Sequence, residues 1–549
     1  MRCPRPPLRT RLALVLACTA AAGFPAYPAH AADYVITGNS PVLWSTIDDG
    51  QIGVTRAIDL GQLRASSGWL VVDRDMALSA GIVLESTGSR LDVNAGVTVT
   101  GGPIVNDQAT GFREYVSGVV NNNGTIAIQH NNFGSAGVIN NNGALSLSDH
   151  SNLYNRETFS NSGSLTIDAT SSFFTFALLN STGTVDNYGV FDVADGSANF
   201  TAGSFTNHAG GSVYTDVTTR FSAGVGLVNQ GTWNVRTGNN MVLPGSFDNR
   251  AGATLNVISS FTAADNSAFV SAGTVNVSGQ FNAGDGQVPG GLAGGGVIRG
   301  AINTGTMNVQ SGGHLVATTL LTNGGAINNA GEVHVMVGGA LRGSGTLAQT
   351  GGVTTVDGGL AQSRMAFSGG TLNGTSVFFG ARVPDAGISG DVTISDSAVL
   401  APGENGGPGL LSFNDALHMN GGTFSVLIGN TARGIGYSAI DAANVDLGGV
   451  LKITFANLGR GTYVPQLGDI FDIIETSGDI HGKFDGFDLP FVSGVAWKTD
   501  VVNLSGGGEA LELRVAAVPE PGSYALMLAG LGLLGAALRR RCGNPEAPA

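Results

Sequence analysis

From about residue 116 the chain repeats one short phrase: apolar, any, Asn, any, Gly, any, apolar, any, apolar. It reads Asn122-x-Gly124-x-Ile126-x-Ile128, then Asn141-x-Gly143-x-Leu145-x-Leu147 and Asn161-x-Gly163-x-Leu165-x-Ile167. It returns at Asn187-x-Gly189-x-Phe191-x-Val193, Asn229-x-Gly231-x-Trp233-x-Val235, Asn303-x-Gly305-x-Met307-x-Val309 and Asn329-x-Gly331-x-Val333-x-Val335. Degenerate copies start at Asn207, Asn249 and Ser271. Successive starts lie 19–22 residues apart except for three steps of 26, 32 and 26. The longer steps read as insertions, one of them the Gly-rich run near Gly290 to Gly296.

The alternation after each glycine has period two, so it predicts a short strand with one buried face. Asn and Gly tolerate left-handed backbone and predict a tight corner before that strand. A coil of about 20 residues cannot bury its own apolar face, but coils stacked at about 4.8 Å bury it on one another. The pattern therefore predicts an all-β fold, a parallel β-helix (β-solenoid), with Asn side chains forming ladders. A β-sandwich also shows short strands and turns, but a fixed phrase over roughly 200 residues favours the solenoid. Ten coils make a rod of about 50 Å, and the whole body one of about 90–100 Å. The expected core includes Ile126, Ile128, Leu145, Leu147, Leu165, Ile167, Trp233 and Val235.

The flanks are less regular. Residues 32–115 hold strand-like runs, such as Trp69 to Val72 and Ile82 to Leu84, without the Asn-x-Gly phrase. They read as an N-terminal β cap or first coils, and residues 116–389 as the solenoid repeats. From about Gly390 the text changes. Leu400-Ala401-Pro402-Gly403, Gly448-Gly449-Val450-Leu451, Gly468-Asp469-Ile470-Phe471 and Gly482-Lys483-Phe484 resemble the late passenger region of autotransporters. That resemblance, over residues 390–515, implies a right-handed β-helix. The C-terminal membrane barrel of that family has no counterpart in these residues.

The N-terminus places Arg2, Arg5, Arg9 and Arg11 before an apolar run, Leu12 to Ala22, and a small-residue site at Ala29-His30-Ala31. This layout predicts a secretory signal over residues 1–31, cleaved after Ala31. Cys3 and Cys18 would leave with it, so only Cys542 remains. The exported body then has no disulfide to rely on.

The C-terminus reads Val518-Pro519-Glu520-Pro521, an apolar stretch Tyr524 to Leu538, and Arg539-Arg540-Arg541. The stretch is expected to be a C-terminal hydrophobic helix that crosses the inner membrane, although at about 22 Å it is short for a ~30 Å hydrocarbon core. The three arginines then act as a membrane stop, with residues 542–549 as a cytoplasmic tail. Prolines flanking Glu520 favour an extended tripeptide. The tripeptide, helix and arginine cluster over residues 516–541 resemble a PEP-CTERM sorting signal of Gram-negative bacteria. The resemblance implies processing by exosortase, an integral membrane enzyme, after transient inner-membrane anchoring. It further implies delivery to the cell surface or extracellular matrix. The same tail contains Gly530-x-Gly532-x-x-Gly535, a formal dinucleotide fingerprint. Without a βαβ unit and an acidic ribose ligand, small-residue helix packing explains it better.

Composition narrows the rest. Gly fills 86 of 549 positions, yet without the every-third-residue rule of collagen, and charged residues are only 12%. Leaving out residues 1–31 and 539–549, 19 basic residues stand against 39 acidic ones, a balance that repels nucleic acid. No catalytic constellation is visible: no G-x-S-x-G, no phosphate loop and no HExxH. His130 and His150 lie one repeat apart without a cysteine partner and are not read as a metal site. Asp48-Asp49 and Asp469/Asp472 read as solvated or turn carboxylates. The calcium nonapeptide is absent. Phe173, Phe174 and Phe176 read as core or capping residues before sugar platforms. The expected function is a non-enzymatic, cofactor-free structural or adhesive surface protein of the exopolysaccharide or biofilm matrix. The alternative, a secreted polysaccharide lyase or hydrolase, needs an acidic cluster with Arg or Lys on one face of the stack.

Overall fold

The computed structural model describes residues 34–541 other than 37–39, 48–62, 66–67, 79–81, 85–87, 102–117, 131, 136, 194–196, 216–218, 223, 237, 239, 244, 265–266, 285–299, 379–380, 383–384, 460 and 519–520. The expected leader, with Ala29 and Ala31, lies outside these residues.

The chain winds into a parallel β-solenoid. One coil shows the rule. Strands Val138–Asn141, Ala144–Ser148 and Asn152–Asn155 form three faces. Each pairs in parallel with the strand about 20 residues later: Thr158–Asn161, Ser164–Ile167 and Ser172–Thr175. Register is strict, so Asn141 stacks on Asn161, Leu145 on Leu165 and Leu153 on Phe173. Within each strand alternate side chains are buried, as period-two patterning requires. All eight expected core residues are buried, none more than 2% exposed. The interior is lined by aromatic rings in contact from coil to coil. Phe173 and Phe191 stack with centroids 5.0 Å apart, and Trp233 bridges Phe205 and Phe247. This continuous apolar column is the core that stands in for disulfides.

The glycine of the phrase has a different role from the one its turn chemistry suggests. Gly124, Gly143 and Gly163 do not adopt positive φ. A Cβ on Gly143 would instead meet the carbonyl oxygen of Gly124 at 2.0 Å, and one on Gly163 that of Gly143 at 1.9 Å. Glycine is required because successive coils approach too closely at the corner for any side chain.

The asparagines form buried ladders along the rod. Asn122 Nδ2 donates to Asn141 Oδ1 at 2.7 Å, and Asn141 Nδ2 to Asn161 Oδ1 at 2.7 Å. Each amide also donates to a backbone carbonyl of the next coil, such as Ala144 O and Ser164 O. A second ladder runs Asn187–Asn207–Asn229–Asn249, ending on Ser271 Oγ. A third runs Asn303–Asn323, ending on Gln362 Oε1. The amides all point toward later coils, so a ladder's first carbonyl lacks an incoming donor. Asn122 Oδ1 accepts the Gly124 N–H, whereas the buried Oδ1 atoms of Asn187 and Asn303 have no partner.

Two of the long sequence steps are not insertions. Asn161 stacks on Ser181, the next rung of its own ladder, whereas Asn187 starts a ladder one corner further on. Asn303 likewise stacks on Asn323, and Asn329 starts a separate pair with Gln349. The step of 26 is one coil plus one corner, because the motif changes corner. Only the step of 32 carries extra chain, between Ala283 and Ala301.

The described part of the N-terminal region supplies first coils of the same stack. Pro41–Leu43 pairs with Trp69–Val72, which pairs with Arg90–Val93, which pairs with Val119–Asn122. Toward the other end the strands lengthen to Gly387–Pro402 and Leu410–Ile428. The stack then closes on an antiparallel hairpin. Ile470–Thr476 pairs with Glu509–Ala517, which pairs with Val495–Asn503. Reversing strand direction there ends the parallel template that an open coil would present to other chains.

The ladders predict a contrast between two asparagines. Asn207 is fully buried and bonds Asn187, Asn229 and Thr232 O, whereas Asn276 belongs to an outward ladder between Asn256 and Asn308. Asn207→Ala strands buried polar groups and should cost about 1–3 kcal/mol, while Asn276→Ala should stay within about 0.5 kcal/mol. Urea unfolding of both variants checks this, and equal costs would refute the ladder's role.

Candidate functional site

The C-terminal tract leaves the body at Val518, after the last strand of the hairpin. Pro519 and Glu520 lie outside the described residues. The α-helix Pro521–Arg541 begins on the third residue of the motif, where a proline's missing N–H costs nothing. Pro521 is therefore helical and not part of an extended tripeptide. Along the helix Leu526, Met527, Leu528, Leu531, Leu533, Leu534 and Leu538 are all exposed. Nothing lies within 4 Å of a Cβ built on Gly530, Gly532 or Gly535. The strand before it, Glu509–Ala517, is antiparallel to its neighbours, so the glycine spacing sits in no βαβ unit. The expected membrane crossing is corrected here: no helix among the described residues is long and apolar enough to cross a membrane. The apolar part spans only about 22 Å, and alanines and glycines dilute it.

Histidines on the body sit against carboxylates of neighbouring coils. His208 Nε2 lies 2.9 Å from Asp186, His314 Nδ1 2.8 Å from Glu332 and His418 Nδ1 2.6 Å from Asp446. His418 also has Asp391 at 3.4 Å from its Nε2, so its two ring nitrogens face different carboxylates, whereas in two further groups one ligand atom from each of three residues converges. His130 and His150 occupy adjacent coils at the surface, with Asp149 between them at 3.1 and 3.5 Å. All three side chains are well exposed.

The second cluster is less exposed. His334 Nε2 lies 3.0 Å from Asp357 Oδ2, and Glu404 completes the group. Asp357 is almost wholly buried, and its other oxygen accepts the Thr375 N–H at 3.0 Å. The hydrogen bond to Asp357 holds the His334 imidazole above its usual range, against the effect of burial. Burial and the adjoining Asp357 carboxylate push the Glu404 carboxyl up. Glu404 also lines an open cavity of about 230 Å³ with Asn373, Ser425, Ser438 and Thr454. The sequence offers no signal for this group, because 23 and 47 residues separate its members.

The expected carboxylate pairs do not act as pairs. Asp48 and Asp49 lie outside the described residues. Asp469 accepts hydrogen bonds from Tyr463 Oη and the Gln466 N–H. Asp472 faces a different set, in which burial and Glu512 raise its carboxyl while Arg433 and Arg514 oppose them. Arg433, on a loop between long strands, binds Asp441 at 2.8 Å and Glu475 at 3.1 Å, and donates to Asp472 O and Ile440 O. Sequence reasoning saw no such Arg–carboxylate cluster, since its members, from Arg433 to Glu475, lie on separate irregular coils. With its donors committed to the last coils' own backbone and carboxylates, Arg433 ties the end of the stack together.

Of the three phenylalanines, Phe173 is core. Phe174 faces outward, stacked on Tyr154 at 5.2 Å and 8°, and Phe176 packs under Arg156. Further along, Arg236 lies over Tyr214 at 4.0 Å.

The PEP-CTERM protein-sorting motif matches residues 517–541. The matched segment directly follows the solenoid body and contains Pro519, Glu520, Pro521 and Arg539, Arg540, Arg541. No curated relative matches the chain.

The closing network makes a prediction at high pH. Burial pushes the Tyr437 phenol up to about 12, against the pull of Arg433. The unfolded chain ionises this group near pH 10, so its contribution is intact below pH 10 and is lost as pH rises toward 12. Ultraviolet titration should show a late-ionising tyrosine that Tyr437→Phe removes. An unchanged titration curve in the variant would refute the assignment.

Proposed function

We propose that this protein is a secreted, non-catalytic structural or adhesive element of the exopolysaccharide matrix, installed at the cell surface by exosortase. The observation that carries the reading is the sorting motif at residues 517–541 following a disulfide-free solenoid. A rod of stacked coils is stiff, is stable without a redox partner and offers the same outward groups at every coil. The leader at residues 1–31 sends the chain out, and the exposed apolar helix is the handle that the membrane-embedded exosortase takes. Cleavage near Glu520 then frees the body.

Features of the outer faces support contact with glycans. Flat aromatic rings at Tyr154, Phe174 and Tyr214 lie in the same outward file as the amide row Asn256–Asn276–Asn308–Asn328, on earlier coils. Stacking faces in line with amide donors and acceptors suit polyhydroxylated chains, which offer apolar ring faces and hydroxyl edges. Catalysis is not part of the reading. The Arg433 cluster, an arginine among carboxylates of the kind a lyase needs, has donors directed at the fold's own backbone and carboxylates.

Replacing Pro519, Glu520 and Pro521 with alanines should leave the distal tail attached and block release to the surface. A blot of membrane, surface and medium fractions, with tags in the body and after Ala549, reads this directly. A triple variant that loses the distal tag and reaches the surface like the parent would overturn the sorting reading.

A further inference from the structure

We propose that His334, Asp357 and Glu404 form a zinc-type divalent-cation site that clamps four stacked layers of the solenoid. His334 lies in Glu332–Val335, Asp357 directly follows Val353–Val356, and Glu404 follows Gly387–Pro402. Glu332–Val335 pairs with Val353–Val356, which pairs with Thr371–Gly374, which pairs with the end of Gly387–Pro402. The three side chains therefore converge from the first, second and fourth of these layers. The site stands where regular coils give way to the long strands of the C-terminal region.

Geometry supports a cation here. One ligand atom from each residue lies within 4.8 Å of the other two, the spread a single ion of ~2 Å bond lengths can span after small side-chain adjustments. Two carboxylates, one of them almost fully buried, stand side by side with one imidazole. Such a pair of like charges requires a proton or a cation between them, and a divalent ion satisfies both carboxylates at once. The Thr375 N–H on Asp357 Oδ1 fixes that carboxylate in place, as an outer hydrogen bond does for a ligand. A second observation points the same way. The buried side-chain oxygen of Asn373, on the wall of the cavity that Glu404 lines, has no hydrogen-bond partner. The cavity gives water access to Glu404, one of the three groups. An imidazole among the ligands selects zinc-type ions over calcium and magnesium, which take oxygen.

The groups His130–Asp149–His150 and Asp391–His418–Asp446 are competing chelators, so the test uses the full chain carrying Asp149→Asn and His418→Gln. Zinc chloride alone is titrated by calorimetry, and melting is followed with and without it. One zinc ion per chain should bind, and Tm should rise with zinc concentration, since an ion that binds only the folded state stabilises it. Glu404→Gln and His334→Gln should each weaken binding at least tenfold. Both positions are only half-buried and the amides preserve hydrogen bonding, so their zinc-free melting should match the parent's. No heat and no Tm shift would overturn the site. So would either variant binding zinc as tightly as the parent.

Discussion

Everything in this molecule depends on each coil copying the backbone of the one before it at a separation too small for a corner side chain. A Cβ on Gly163 would sit 1.9 Å from the carbonyl of Gly143, and the same conflict recurs at Gly183 and Gly305. That closeness brings each inward residue onto its counterpart, so buried rings stack and buried amides bond end to end. It also explains the low charge. An inward position is repeated from coil to coil, so a charge there would face its like in both neighbours. The apolar column from Phe133 to Phe281 is the result, and it stabilises a body that carries no cysteine between Cys18 and Cys542.

The asparagine ladders add direction to this stack. An amide can donate to the next coil and accept from the previous one, so a row of them joins coils without burying net charge. Serine, glutamine and threonine stand at the ends of the hydrogen-bonded rows, as at Ser181, Ser271, Gln362 and Thr175. Outward rows run with the opposite polarity: Asn276 donates back to Asn256, and Asn308 to Asn276. Inner and outer rows of opposite sense leave the rod without a large side-chain dipole along its axis.

Much of this was legible in the text. The period-two run after each Asn-x-Gly placed Leu145, Leu165 and Trp233 inside, and the C-terminal tract announced the sorting motif. Three things were not legible, for physical reasons. The change of corner between Asn161 and Asn187 is hidden because Ser181 continues the ladder without being asparagine. The reason for the glycines is hidden because steric exclusion by a neighbouring coil leaves the same letter as a left-handed turn. The groups at His334–Asp357–Glu404 and around Arg433 are hidden because coil lengths drift after Arg342, so spacing no longer tells which residues share a face. The tail's apolar helix showed its length limit in the sequence, and the structure resolves that limit against a membrane crossing.

In-register stacking of successive coils is the central claim, and engineered disulfides test it most directly. Ser146 and Thr166 are outward register partners on adjacent coils, and Asp186 follows Thr166 one coil later. Adjacent partners lie about 4.8 Å apart, within disulfide reach, and residues two coils apart lie near 9.6 Å, beyond it. With the three native cysteines replaced by serine, Ser146→Cys/Thr166→Cys should oxidise rapidly to an intramolecular disulfide, and Ser146→Cys/Asp186→Cys should not. Cross-linking of the second pair, or failure of the first in a folded protein, would contradict the stack.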